Sequence, residues 1–93
     1  MWYNDTTVGE KILGYDLEKI VVGIHAHKRM EQRKIPIEQI RETLRYPHLT
    51  LPRFEDNTQE FRRKIGDRTH FVVVHYLQTG KLKIVTTGWS REA

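Results

Sequence analysis

The chain has 93 residues, which is room for one domain. Its 38% apolar and 10% aromatic side chains suffice for one modest core and exclude a disordered tail. The absence of cysteine excludes disulfide frameworks, thiolate zinc sites and cysteine nucleophiles. The formal charge of +4 is uneven: residues 1–24 hold two Lys against four Asp/Glu, and residues 25–93 hold fourteen Lys/Arg against eight Asp/Glu, so −2 precedes +6.

A basic body of this size points to a polyanionic partner, nucleic acid before membrane; an Arg-rich solvated surface explains the charge equally well. The longest apolar runs, Ile20–Val22 and Phe71–Val74, fall far short of the roughly 20 residues of a membrane span. Met1 to Asp5 have neither the basic start nor the apolar stretch of a signal peptide, so the cytoplasm is the expected compartment.

Residues 1–18 show no clear periodicity and are expected to form an N-terminal arm, leaving 19–93 as a single α+β domain. Lys19–Val22 is β-branched and reads as a short strand stopped by Gly23. His25–Lys34 has no Gly, Pro or β-branched residue and reads as a helix, with Ala26, Met30 and Arg33 on one stripe. Pro36 opens a second helix and Pro47 ends it after Tyr46. Within it Ile37, Ile40 and Leu44 face the core, while Glu38, Arg41, Glu42 and Arg45 face water.

From Leu49 the period changes to two. Leu49–Leu51 is extended, and Pro52 confines it to a sheet edge. Asp56-Asn57 is a turn, Gln59–Ile65 a strand, Gly66-Asp67 a turn, and Thr69–Leu77 a strand. Gln78-Thr79-Gly80 is a hairpin loop before Lys81–Thr87, where Lys81 and Lys83 take one face and Leu82 and Ile84 the other. The expected fold is two N-terminal helices packed on one face of a three- to four-stranded antiparallel meander.

A Gly-rich phosphate loop, a nucleophile elbow and a His-Glu-x-x-His pair are all missing from the sequence. His25-x-His27 turns its rings about 200° apart on a helix, a poor metal pair unless His25 precedes the helix, and no metal or other cofactor is expected. His25, Arg29 and Arg33, at i, i+4 and i+8, instead form a ridge along one side of the first helix. Guanidinium groups beside an imidazole suit phosphodiester chemistry, the arginines holding the phosphate while His exchanges a proton. The alternative is that these arginines pair with Glu31, Glu38 or backbone carbonyls.

Alternation places Arg62 and Lys64 on one face of their strand and Arg63 with Phe61 and Ile65 on the other. Arg63 then needs an anion, or snorkels its head to water. His75 shares a face with Phe71 and Val73, as either a proton-transfer group or a hydrogen-bonded core histidine. His48 and His70 sit at element ends and carry little signal. Thr86 and Thr87 end the last strand, where a hydroxyl can meet a phosphate oxygen, and Trp89 is expected to cap the core.

The string His25-Ala26-x-x-Arg29-Met30-x-x-Arg33-x-Ile35, the helix ending in Tyr46-Pro47, then Phe71–Val74 and Ile84-Val85-Thr86 resembles a small domain-of-unknown-function family. That family is similar to the BrnT toxins and, more distantly, to RelE/ParE-type toxins. The resemblance spans residues 20–88 and implies a fold of the barnase–colicin–RelE sort, with RNA bound on the concave sheet face. It carries His25, Arg29 and Arg33 as motif positions, with Thr86 at the matching strand end.

The functional expectation is a metal-independent ribonuclease toxin of a toxin–antitoxin or toxin–immunity pair, cytoplasmic, or delivered from a larger secreted protein. Its expected catalytic residues are His25, Arg29, Arg33 and His75, and its substrate-binding residues Arg62, Arg63, Lys64 and Thr86. Its partners are an RNA substrate and a cognate antitoxin or immunity protein, with which it can oligomerise; no membrane partner is expected. The alternative is a non-catalytic nucleic-acid- or protein-binding module of a mobile genetic element.

Overall fold

The computed structural model describes residues 11–12, 15–53 and 57–90. Its elements run β1 (Lys11–Ile12), β2 (Tyr15–Asp16), a 3-10 turn (Leu17–Lys19), β3 (Val21–Val22), α1 (Ile24–Arg33) and α2 (Ile37–Arg45). Then follow β4 (Leu49–Arg53), β5 (Thr58–Ile65), β6 (Arg68–Tyr76) and β7 (Leu82–Ser90). The fold is α+β. β1 and β2 form a small antiparallel ladder of their own, and the remaining strands form one sheet in the order β3-β7-β6-β5-β4.

The expected meander accounts for β4 to β7, which pair antiparallel in chain order. β4, with Pro52, lies at the sheet edge, as a strand with a missing donor must. β3 corrects the expectation: Val21 and Val22 lie parallel to Lys83 and Ile84, making a mixed five-stranded sheet. The last strand also runs further than Thr87, to Ser90.

Gly23 is extended at the start of α1, with φ −71° and ψ 165°, and its N–H donates to Ile84 O at 3.0 Å. Lys34 adopts the left-handed conformation at φ 54°, which stops the helix. The Ile35 N–H then reaches back to Met30 O at 2.9 Å and Ile35 turns into the core, as at many helix C-termini. Along α1, Ala26 is fully buried and Met30 packs against the core. Arg33, expected on the same stripe, is exposed because the apolar surface ends beneath Met30 and Ile35.

In α2, Ile40 and Leu44 are fully buried and Ile37 packs beside them, the i, i+3, i+7 stripe of an amphipathic helix. Arg41, expected to face water, is half-buried: its Nε donates to Leu17 O at 3.1 Å while its Nη1 pairs with Glu38. Leu17 is itself fully buried in the core. Of the arm expected over residues 1–18, residues 1–10 and 13–14 lie outside the described residues.

The sheet has two distinct faces. On the helix side, Phe61, Val72, Val74, Leu82 and Ile84 join the helices in one core, with Trp89 packed against it as expected. The opposite side, called the open face for its distance from the helix-packed core, carries the alternate residues: Thr58, Glu60 and Arg62 of β5 stand opposite His75, Val73 and Phe71 of β6, with Val73 itself buried among them. A register shift at Val73/Val74 pairs Val73 with Thr86 and Val74 with Ile84, so Val85 is the extra residue of a bulge. Among the described residues no helix is long and apolar enough to cross a membrane.

Candidate functional site

Lys83 is the side chain around which the open face is organised. Its register partners are His75 on β6 and Val21 on β3. A Cβ added at Gly23 would stand 3.1 Å from Lys83 Cε and 3.1 Å from Ile84 O. The lysine stem therefore lies close across the glycine that opens α1, where a Cβ would crowd it.

The start of α1 is positive in its own right. Its first amides have no intrahelical acceptor, and the helix dipole adds partial positive charge there. Gly23 supplies no side-chain cap, and the first turn holds no acidic residue. Lys83 thus brings a full positive charge to the end of a helix where anions are stabilised and cations are not.

Two shallow grooves meet at this lysine. One, about 290 Å³, is lined by Gly23, Ile24, His25, Lys83 and Val85. The other, about 530 Å³, is lined by Asn57, Thr58, His75, Lys83 and Val85. His25 and His75, far apart in sequence and on different elements, thereby flank one lysine. Val85, the bulge residue, lines both grooves.

Further along α1, Arg29 and Arg33 are exposed. Arg33 reaches the sheet: a Cβ placed on Gly88 would stand 3.7 Å from its Nη1 and 3.1 Å from Phe71 Cζ. Among the described residues the side chains of His25, Arg29, Arg33, His75 and Lys83 make no hydrogen bond or ion pair. The pairing of the ridge arginines with Glu31 or Glu38 does not occur: Glu31 faces His27 at 3.9 Å and Glu38 holds Arg41.

The other expected residues divide between the faces. Arg62 lies on the open face opposite Phe71, with its Nε 2.7 Å from Glu60 Oε2, so its charge is partly compensated. Lys64 is exposed at the far end of the same face, opposite Thr69. Thr86 is half-buried beside the bulge, opposite Val73. Arg63 is on the other side of the sheet, where its Nη1 donates to Tyr46 O at 3.0 Å at the end of α2, and its guanidinium lies 6.0 Å from the Tyr46 ring. The structure does not bring Arg63 to the histidines, because one step along a strand reverses the face.

Sequence reasoning left out Lys83 as a site residue, although its alternation with Leu82 and Ile84 already placed it off the core. It also gave little weight to His70, which is fully buried on the helix side. Thr87 Oγ1 donates to Phe71 O at 2.8 Å, so at 2.9 Å from His70 Nε2 it accepts the ring N–H. His70 Nδ1 is then the acceptor, and the Thr43 hydroxyl donates to it from 2.6 Å. Burial pushes the His70 pKa down to about 4, which keeps this ring neutral and structural. Arg68 covers Trp89 at 4.1 Å from its ring, so that aromatic is occupied within the fold. Among the described residues no group of three or more His, Asp or Glu gathers as a metal shell.

Residues 24–89 match a family model described as a domain of unknown function, DUF4258, and the chain belongs to that family. No curated protein and no solved structure matched it.

Proposed function

We propose that this member of the DUF4258 family is a small ribonuclease toxin of the BrnT and RelE kind, which takes single-stranded RNA on the open face of its sheet. The observation that carries the reading is Lys83, unpaired among the described residues and laid against the start of α1, where it lines grooves with His25 and His75. Positive charge gathered there without a counter-charge is destabilising in the free protein and favourable once a phosphate enters. Arg29 and Arg33 extend the same charge along the helix, a track for neighbouring phosphates.

The chemistry follows from what surrounds that phosphate. One imidazole takes the proton of the RNA 2′-hydroxyl, and O2′ attacks phosphorus. The P–O5′ bond breaks, and the second imidazole, as imidazolium, gives its proton to O5′. The products are a 2′,3′-cyclic phosphate and a 5′-hydroxyl end. The nucleophile is the substrate's own hydroxyl held in place, so the protein need supply only position, charge and proton transfer. His25 is the principal acid/base, His75 its counterpart, and Lys83 with Arg29 and Arg33 stabilise the phosphorane. Thr86, Arg62 and Lys64 border the path of the strand. An antitoxin or immunity protein, acidic where it touches, would cover this face, and the toxin would act in the cytoplasm.

One observation favours a second reading. Among the described residues neither His25 nor His75 has a hydrogen-bond partner to fix its ring, whereas activated acid–base pairs are commonly oriented by a third group. A non-catalytic RNA-binding module would use the same cations without needing oriented rings. Induced expression in a bacterial host separates the two. Growth arrest with RNA fragmentation for the wild-type chain, both abolished in His25→Ala, is expected of the ribonuclease. Normal growth and intact RNA at full soluble expression would contradict it.

A further inference from the structure

The open face contains an aromatic that neither proton transfer nor the core uses. Phe61 is in the core, Trp89 packs against it beneath Arg68, and Tyr76 bonds Gln59 on the helix side. Phe71 alternates to the open side with Val73 and His75 and is half-buried. Its cross-strand partners are Arg62 on β5 and Gly88 on β7. A Cβ at Gly88 would meet Phe71 Cζ at 3.1 Å and Cε2 at 3.2 Å, so the ring leans over β7 against the bare backbone of Gly88, where a Cβ would crowd it. Arg33 Nη1, 3.7 Å from that same point, arrives from α1 with no partner among the described residues.

We propose that Phe71, laid over Gly88 and edged by Arg33, is a stacking subsite for one base of a single-stranded RNA, with Arg33 taking the adjoining phosphate. The inference rests on the RNA-binding reading and specifies how the strand is held. Single-strand binders combine a basic track with aromatic platforms, and an aromatic ring beside a free guanidinium is the smallest unit of that design. Four residue steps along β6 separate Phe71 from His75, about 13 Å of strand, so the stacked base flanks the phosphate held at Lys83 rather than belonging to it. An ordinary cross-strand Phe–Gly pair needs no arginine brought from a helix to its rim, and it would not distinguish a base from its absence.

The test is binding of two fluorescent 2′-O-methyl RNA hexamers, which resist 2′-hydroxyl cleavage. One is a uridine hexamer and the other has the same backbone charge with abasic positions. The wild-type protein is expected to bind the uridine hexamer more tightly. Phe71→Leu is expected to weaken that binding by about 5- to 150-fold while leaving the abasic hexamer unchanged, and Phe71→Trp to retain it. Equal binding of the two hexamers by the wild type would overturn the stacking subsite, whatever the variants do. So would a folded Phe71→Leu protein that binds the uridine hexamer normally. Either result leaves a charge-based RNA site standing, whereas failure of the wild type to bind either hexamer overturns the RNA-binding reading and the subsite with it.

Discussion

The hydroxyl of Thr43 on α2 and the ring of His70 on β6 meet at 2.6 Å, the start of a hydrogen-bond chain that crosses the core to Thr87 and the backbone of β6. Because this ring is buried neutral, it links stability to pH. The unfolded chain binds a proton at this residue near pH 6.5 and the folded chain only near pH 4. Above pH 6.5 the contribution is fully present. Between 6.5 and about 4 the unfolded state is favoured progressively, with a loss on the order of 3 kcal/mol from this residue. Urea midpoints measured from pH 7 to pH 5 should fall for the wild type and fall less steeply for His70→Gln; parallel slopes would contradict the assignment.

Thr43→Val keeps the shape of the side chain and removes the donor to Nδ1. With the buried acceptor left unsatisfied, the variant should lose about 1–3 kcal/mol, measured by denaturant unfolding at pH 7. A midpoint within error of the wild type would mean that Thr43 and His70 are not bonded as described.

Arg33 and Arg63 are both arginines near the sheet, but the fold gives them opposite roles. Arg33→Ala should weaken binding of single-stranded RNA and lower its salt slope by about 0.7 for each phosphate that is no longer neutralised; Lys83→Ala should do the same. Arg63→Ala should leave both unchanged, because Arg63 is engaged with Tyr46 O on the helix side, and should cost up to about 1.5 kcal/mol of stability. Equal effects of Arg33→Ala and Arg63→Ala on the salt slope would contradict the division of the faces.

Gly88→Ala adds one methyl group where Phe71 already stands, 3.1 Å from the new Cβ. The ring must move, so the variant should be destabilised by about 1 kcal/mol or more, as overpacking commonly does. Pairing it with Phe71→Ala should recover much of that loss, since the clash disappears, and thermal unfolding of the four proteins measures the coupling.

Much of this architecture is legible in local pattern. The two helices follow from the breaks at Gly23, Pro36 and Pro47, and β4 to β7 from period-two alternation punctuated at Gly66 and Gly80. β3 is legible as a strand within Lys19–Val22, but its parallel place in the sheet is not, because its partner β7 lies at the other end of the chain and two β-branched residues do not state whom they pair with. The site was half legible. Helical spacing groups His25, Arg29 and Arg33, and alternation separates Arg62 from Arg63. Lys83 becomes significant only through the register that sets it beside His75 and the close approach of its stem to Gly23 at the start of α1, both tertiary facts. His70 shows the same limit: alternation puts it on the core side, but only its contacts with Thr43 and Thr87 make it structural.

The most direct measurement incubates purified protein with a fluorescent RNA and with the same oligonucleotide carrying 2′-deoxyribose throughout, for the wild type, His25→Ala and His75→Ala. Cleavage of the RNA alone, ending in 2′,3′-cyclic phosphate and abolished or strongly reduced in both variants, is expected if the two histidines exchange protons across a phosphate at Lys83. RNA that is bound tightly yet stays intact with the folded wild-type protein would contradict the ribonuclease and leave a binding module.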